Sequence, residues 1–203
     1  MNILLMIRHG ESIANVKKII SHDNEAFPLT EKGMKQAQIV GEELSGIKIE
    51  KIYTSPVLRA RQTAEIISKV VGCEVIVEER IRERYFGRLN NRKVNSINWK
   101  VLFCNKRFGD LETFEEIYLR TSEFVEERDD RVTVMVSHYD PIKALLSKEL
   151  GFYNEFSSWG IVIPNASSSI IVNDGNGYKK VIGVGIPPFK NVLRPLLETY
   201  IKE

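Results

Sequence analysis

The stretch NILLMI near the start of the chain places five apolar residues, Ile3 to Ile7, in a row with no polar alternation. A strand with one wet face alternates; a run this uniform suits a strand covered on both faces, as in a parallel sheet sandwiched by helices. It ends on Arg8, His9 and Gly10, so a cation and an imidazole are displayed at the carboxyl end of a buried strand. Further strand-like runs at Lys51 to Thr54, Glu74 to Val77, Val132 to Ser137, Ser169 to Val172 and Lys180 to Val184 are mostly separated by helical patterns. That alternation predicts an α/β fold, a three-layer α/β/α sandwich on a mostly parallel sheet. The 203 residues suit one domain, 1–203, with its own core.

The helices carry their own boundary signals. Thr30 is placed to cap a helix with Met34, Ala37, Val40, Gly41 and Leu44 on one face. Ser55-Pro56 opens a second, with Val57, Ala60, Ala64, Ile67 and Val71 inward and Gly72 as its stop. Thr113 and Glu116 form a capping-box pattern ahead of Ile117, Thr121 and Phe124. Asp140-Pro141 opens a fourth, with Ile142, Leu145 and Leu146 inward and Gly151 beyond its end. In the tail, Leu193, Leu196, Leu197, Tyr200 and Ile201 fall at helical spacing and are expected to pack on the chain's own core; a homodimer contact stays open.

Lysine and arginine total 29 against 27 acidic residues, so no strong field favours nucleic acid or an anionic membrane as partner. Anion binding must be local. Cys73 and Cys104 match no metal spacing, and no apolar stretch approaches a membrane span; a reducing, cytoplasmic setting is expected.

Two of the three histidines, His9 and His138, follow apolar strand-like runs. Ligands of open α/β sheets bind beyond the carboxyl ends of strands, so these two are expected to converge on one crevice, with His22 left in a polar surface loop. Arg59 falls in the first turns of its helix, where the macrodipole disfavours a cation unless an anion is bound nearby. Arg8 and Arg59 offer forks that match phosphate oxygens, whereas Arg61 is expected to be solvated. Phosphoryl transfer needs positioning and charge more than covalent machinery, and a partly neutral imidazole is able to attack phosphorus in line. Glu83, inside RIRER, suits on its residues alone a pairing with Arg80, Arg82 or Arg84.

LLMIRHGES, SPVLRARQTA, ERYFG from Glu83 to Gly87, and VMVSHYDPIK, in that order, resemble the four signatures of the histidine phosphatase superfamily, which includes cofactor-dependent phosphoglycerate mutases. The resemblance implies a phosphoglycerate mutase-like fold. It implies that His9 is the nucleophile, that Arg8, Arg59 and His138 hold the phosphoryl group, that Glu83 is the proton donor, and that Asn15 touches the phosphate. PNASSSIIV looks like the family's late strand, with Asn165 shaping the pocket and no catalytic role. Tyr139 departs from the pattern, standing where the family usually has a small residue, and is expected to narrow the pocket or change how the local amide is reached.

Three readings follow. The first is a metal-independent phosphomonoester hydrolase that forms a phosphohistidine on a small phosphorylated metabolite, with no cofactor. The second is a phosphoglycerate mutase, which would add 2,3-bisphosphoglycerate as cofactor. ERYFGRL echoes the mutase ERHYG pattern, but SHDNEAF replaces the usual FTGW-type segment, and the stretch between Glu83 and His138 leaves only a short cap-like insertion around 88–111. The third is a phosphate-binding module without chemistry. Neither a P-loop nor a histidine-carboxylate metal cluster is visible in the sequence. Within 92–111, Trp99, Leu102, Phe103 and Phe108 are expected to lie over the site as cap or core.

Overall fold

Alternate residues of the first strand serve two different cores, which is why the run needs no polar positions: Ile3, Leu5 and Ile7 pack on one side of the sheet, Leu4 and Met6 on the other. The computed structural model describes residues 1–99, 109–152, 155, 157–158, 160–174 and 178–201. Its strands are β1 (Asn2–Arg8), β2 (Lys51–Thr54), β3 (Glu74–Val77), β4 (Val132–Ser137), β5 (Ser168–Asn173) and β6 (Lys179–Ile186). Its helices are α1 (Ile13–Lys17), α2 (Glu31–Leu44), α3 (Leu58–Val71), α4 (Phe114–Glu126), α5 (Tyr139–Glu149) and α6 (Leu193–Ile201). The strand order is β3-β2-β4-β1-β5-β6. Neighbours run parallel from β3 to β1, and β5 lies antiparallel to both β1 and β6, so the sheet is mostly parallel as the pattern predicts. Helices α2, α3 and α6 cover the face of Ile3, Leu5 and Ile7, while α4 and α5 cover the other.

Boundaries agree with the sequence signals where side chains hold the orphan backbone groups. Thr30 accepts the Gly33 N–H at 3.0 Å, and Thr113 and Glu116 close a full capping box. Gly72 ends α3 at φ 81°. Two details differ. Met34 is exposed, and the close approach on α2 belongs to Gly33, where a Cβ would overlap the Glu11 backbone. Helix α3 begins at Leu58 instead of Pro56, because the Ser55 hydroxyl is shared between the Val57 N–H at 3.2 Å and the His138 ring. In the tail, Leu193 and Leu197 are buried against the chain's own core, as expected.

The expected cap falls partly outside the described residues, including Leu102, Phe103, Cys104 and Phe108. The described part consists of short 3-10 turns at Gly87–Leu89 and Val94–Ser96, with Phe86 and Leu111 buried in a small separate cluster that Ile20, Leu89, Ile97 and Trp99 join. Among the described residues no helix is long and apolar enough to cross a membrane.

Candidate active site

Strand pairing brings the candidate residues together. β1 and β4 are parallel neighbours with Arg8 opposite Ser137, so the residues that follow, His9 and His138, leave the sheet side by side with ring centroids 5.1 Å apart. β2 lies on the other side of β4, and the helix after it, α3, delivers Arg59 from its first turn onto the same spot. Gly10 contributes by closeness and not by an unusual dihedral: it adopts no positive φ, but a Cβ there would lie 2.5 Å from the Gly33 carbonyl oxygen.

The hydrogen bonds fix the imidazole. His9 Nδ1 lies 2.7 Å from the Gly10 carbonyl oxygen, and Arg59 Nε donates to His9 Nε2 at 3.1 Å. A carbonyl only accepts and a guanidinium only donates, so the proton sits on Nδ1 and the lone pair on Nε2. Arg59 Nη2 donates to the Ser21 carbonyl oxygen at 2.9 Å and faces His138 Nδ1 at 3.2 Å, while His138 Nε2 meets Ser55 Oγ at 2.8 Å. Both histidines are buried, and burial together with the Arg59 and Arg8 charges holds both well below the usual imidazole range. They are neutral at cellular pH.

Arg8 and Arg59 are left with unspent donors. Arg8 Nη1 donates to the Ile163 carbonyl oxygen at 2.6 Å and its guanidinium lies 5.3 Å from the centre of the Tyr139 ring. Arg8 Nε and Arg59 Nη1 are buried without a hydrogen-bond partner among the described residues. Burial lowers both guanidinium pKa values, that of Arg59 to about 10. Unsatisfied buried donors of this kind are costly unless an acceptor arrives.

Glu83 escapes the pairing that RIRER suggests. Arg80 binds Glu78 and Glu127, Arg82 lies 3.8 Å from Glu79, and Arg84 binds Glu155 at 2.6 Å. The Glu83 carboxyl accepts the Arg84 backbone N–H at 2.9 Å and lies 3.8 Å from Arg59 and 3.7 Å from His138. Burial first, then the Asp140 charge, push it up to about 7 despite Arg59 and Arg8. Its loop is anchored where Ser137 Oγ donates to the Ile81 carbonyl oxygen at 2.7 Å.

Asn15 lies on the same cavity, its amide oxygen accepting from the Ser12 N–H at 2.9 Å and from Asn165 Nδ2 at 3.1 Å, which turns its NH2 group free to donate. The cavity, of about 510 Å³, also touches Tyr139, whose hydroxyl donates to the Ile161 carbonyl oxygen at 2.8 Å. Tyr139 thus lines the pocket. His22 is not a free surface residue: it is half-buried, its Nδ1 accepts the Phe86 N–H at 3.0 Å, and its ring packs 4.5 Å from Tyr85. Arg61 reaches Glu25 at 2.7 Å near the surface. Sequence reasoning missed Ser21, Ser55, Asp140, Lys143 and Glu155. Only Asp140, two residues after a strand-end histidine, carries a signal that could have been used.

The arrangement is one of two imidazoles and two guanidiniums gathered at the cavity with a raised carboxyl beside them. The sequence model of the histidine phosphatase superfamily (branch 1) matches residues 4–182. The 2,3-bisphosphoglycerate-dependent phosphoglycerate mutase of Thermoplasma acidophilum is 36% identical over 177 residues, covering 84% of this chain and 87% of that protein. Among solved structures, Bacillus stearothermophilus YhfR superposes with a TM-score of 0.81 at 24% identity, covering 92% of this chain and 98% of that one. A mycobacterial glucosyl-3-phosphoglycerate phosphatase gives 0.79 at 22%, covering 92% and 100%. The chain belongs to the histidine phosphatase superfamily. It is therefore an enzyme, of the phosphatases and mutases that this superfamily comprises.

Proposed function

We propose that the chain is a metal-independent phosphomonoester hydrolase that works through a phosphohistidine at His9 on a small phosphorylated metabolite. The observation that carries the reading is the fixed tautomer of His9, with its Nε2 lone pair 3.1 Å from Arg59 Nε on a cavity that Arg8 also lines. In the first step Nε2 attacks phosphorus, the P–O bond to the alcohol breaks, and Glu83 gives its proton to the departing alkoxide. Arg8, Arg59 and the NH2 group of Asn15 hold the phosphoryl oxygens as charge spreads over them, and His138 stands beside them between Arg59 and Ser55. The neutral His138 contributes by positioning and hydrogen bonding. In the second step water attacks phosphorus, Glu83 takes the water's proton, and the P–N bond breaks to release inorganic phosphate. The cations at phosphorus are side chains, so no metal or organic cofactor enters the reaction.

A carboxyl at about 7 is half protonated at neutral pH and suits both steps. The mutase reading keeps its claim from the Thermoplasma relative; it would return the phosphoryl group to an organic acceptor and require 2,3-bisphosphoglycerate.

Rapid acid-free quenching after exposure to a 32P-labelled monoester should trap an acid-labile, base-stable phosphoryl group on His9, and inorganic phosphate should be the main product in the presence of EDTA. Interconversion of 3- and 2-phosphoglycerate much faster than phosphate release would establish the mutase instead. Full turnover by His9→Ala would remove the nucleophile assignment.

A further inference from the structure

The cavity is larger than the phosphoryl site at its floor requires. About 510 Å³ falls within the roughly 300–1,000 Å³ of pockets that enclose drug-sized molecules. Beyond the floor, its lining divides into an apolar part and a charged part. Ile19, Ile20, Phe86, Val94, Trp99 and Val162 form the apolar part. The charged part is self-compensating: Arg84 binds Glu155 at 2.6 Å, lies 3.8 Å from Asp140 and donates from Nε to the Glu112 carbonyl oxygen at 2.7 Å. Lys143 feels the carboxylates of both Asp140 and Glu155. Among the described lining residues two cations thus stand against two carboxylates, and the other two cations, Arg8 and Arg59, belong to the floor.

Charge balance decides what such a space accepts. A second anionic group on the substrate, a carboxylate or another phosphate, would lose its hydration on entry and would have to compete with Asp140 and Glu155 for a cation among the described residues. An apolar face would release water from six apolar side chains at no electrostatic cost. Hydroxyl groups on its other edge would find acceptors in Asp140 and Glu155.

Building on the hydrolase reading, we infer that the substrate is the phosphate monoester of a bulky, uncharged alcohol with an apolar face, seated against Phe86, Val94 and Trp99, and not a phosphorylated three-carbon acid.

The test compares kcat/KM for 3-phenylpropyl phosphate and 3-phosphoglycerate, both esters of primary alcohols, with the phosphoglycerate carrying the better leaving group, so that intrinsic reactivity works against the expected order. The wild-type protein should favour the phenylpropyl ester at least tenfold. Val94→Lys, at a half-exposed position on a short turn, should cut that preference at least fivefold, in part by raising kcat/KM on 3-phosphoglycerate. Equal or reversed preference in the wild type, or a preference untouched by Val94→Lys, would overturn the inference while leaving the hydrolase reading standing. Absence of phosphoryl transfer from either ester, with no labelled His9, would overturn the hydrolase reading and the inference with it.

Discussion

The floor of the cavity and its outer wall are built from different materials. The floor sits on the ends of β1 and β4 and the first turn of α3, the most deeply covered elements of the sandwich, and its polar atoms hold one another: His9 by the Gly10 carbonyl, Arg59 by His9, Ser21 and His138, His138 by Ser55. The wall beside Phe86 and Val94 is made of 3-10 turns over a satellite cluster separate from both main cores. Its ties run mostly between turns and loops, among them Val94 N–H to the Lys18 carbonyl oxygen at 2.8 Å and Asn90 and Asn91 to Asp23 at 2.6 and 2.7 Å. Rigid strand ends suit chemistry that fails when displaced by an ångström; turns tolerate the variation by which a shared reaction is fitted to different alcohols.

If the floor works as one over-determined unit, the largest effects belong to substitutions that keep its charge but spoil its geometry. Arg59→Lys retains a cation yet loses the fork that reaches His9, His138 and the Ser21 carbonyl together. It should lower kcat/KM on the order of 10³-fold with the fold intact by circular dichroism. A loss under tenfold would mean that charge alone suffices and that the contrast between floor and wall is not one of precision.

The same contrast explains what could be read from the sequence. His9 and His138 were legible because parallel pairing of two apolar runs leaves their carboxyl ends together, and a strand order in which β4 separates β1 from β2 then needs only one helix to bring Arg59. Capping residues Thr30 and Thr113 were legible because their signals are local. Ser55 reads locally as a helix start, yet its hydroxyl also serves His138 across 83 positions of chain. The surroundings of Glu83 were opaque for a similar reason. RIRER places three arginines beside it, and only the fold reveals that each has another carboxylate. His22 reads as a surface loop because a ring nitrogen accepting a backbone N–H from Phe86, 64 residues away, leaves no trace in local composition.

Glu83 stands at the boundary of the two regions and should show an intermediate, leaving-group-dependent effect. Glu83→Gln removes the proton donor while keeping shape, so kcat/KM should fall on the order of 10²-fold for alkyl phosphates and far less for p-nitrophenyl phosphate, whose leaving group needs no proton. The acid must be protonated to act. With its pKa raised to about 7, kcat/KM on alkyl esters should therefore decline as pH rises through that value, and the Gln variant should lack this limb. A profile flat to pH 9 in the wild type would remove Glu83 from the role.

The smallest effect is expected where the wall touches the floor. The Tyr139 hydroxyl donates to the Ile161 carbonyl oxygen at 2.8 Å, and two residues on, the Ile163 carbonyl accepts from Arg8 at 2.6 Å. Tyr139 and Arg8 therefore pin one short segment, while the Tyr139 ring lies 5.3 Å from the Arg8 guanidinium and 5.7 Å from Lys143. Tyr139→Phe keeps the ring and deletes one hydrogen bond, worth about 1 kcal/mol, which in a chain of this size lowers Tm by roughly 2–4 °C. Arg8 retains its own bond to Ile163 and its contact with the ring, so kcat should stay within about twofold and KM should rise no more than about threefold. A tenfold fall in kcat would show that the pin on this segment sets the reach of Arg8 to phosphorus, and the wall would then have to be counted as part of the catalytic floor.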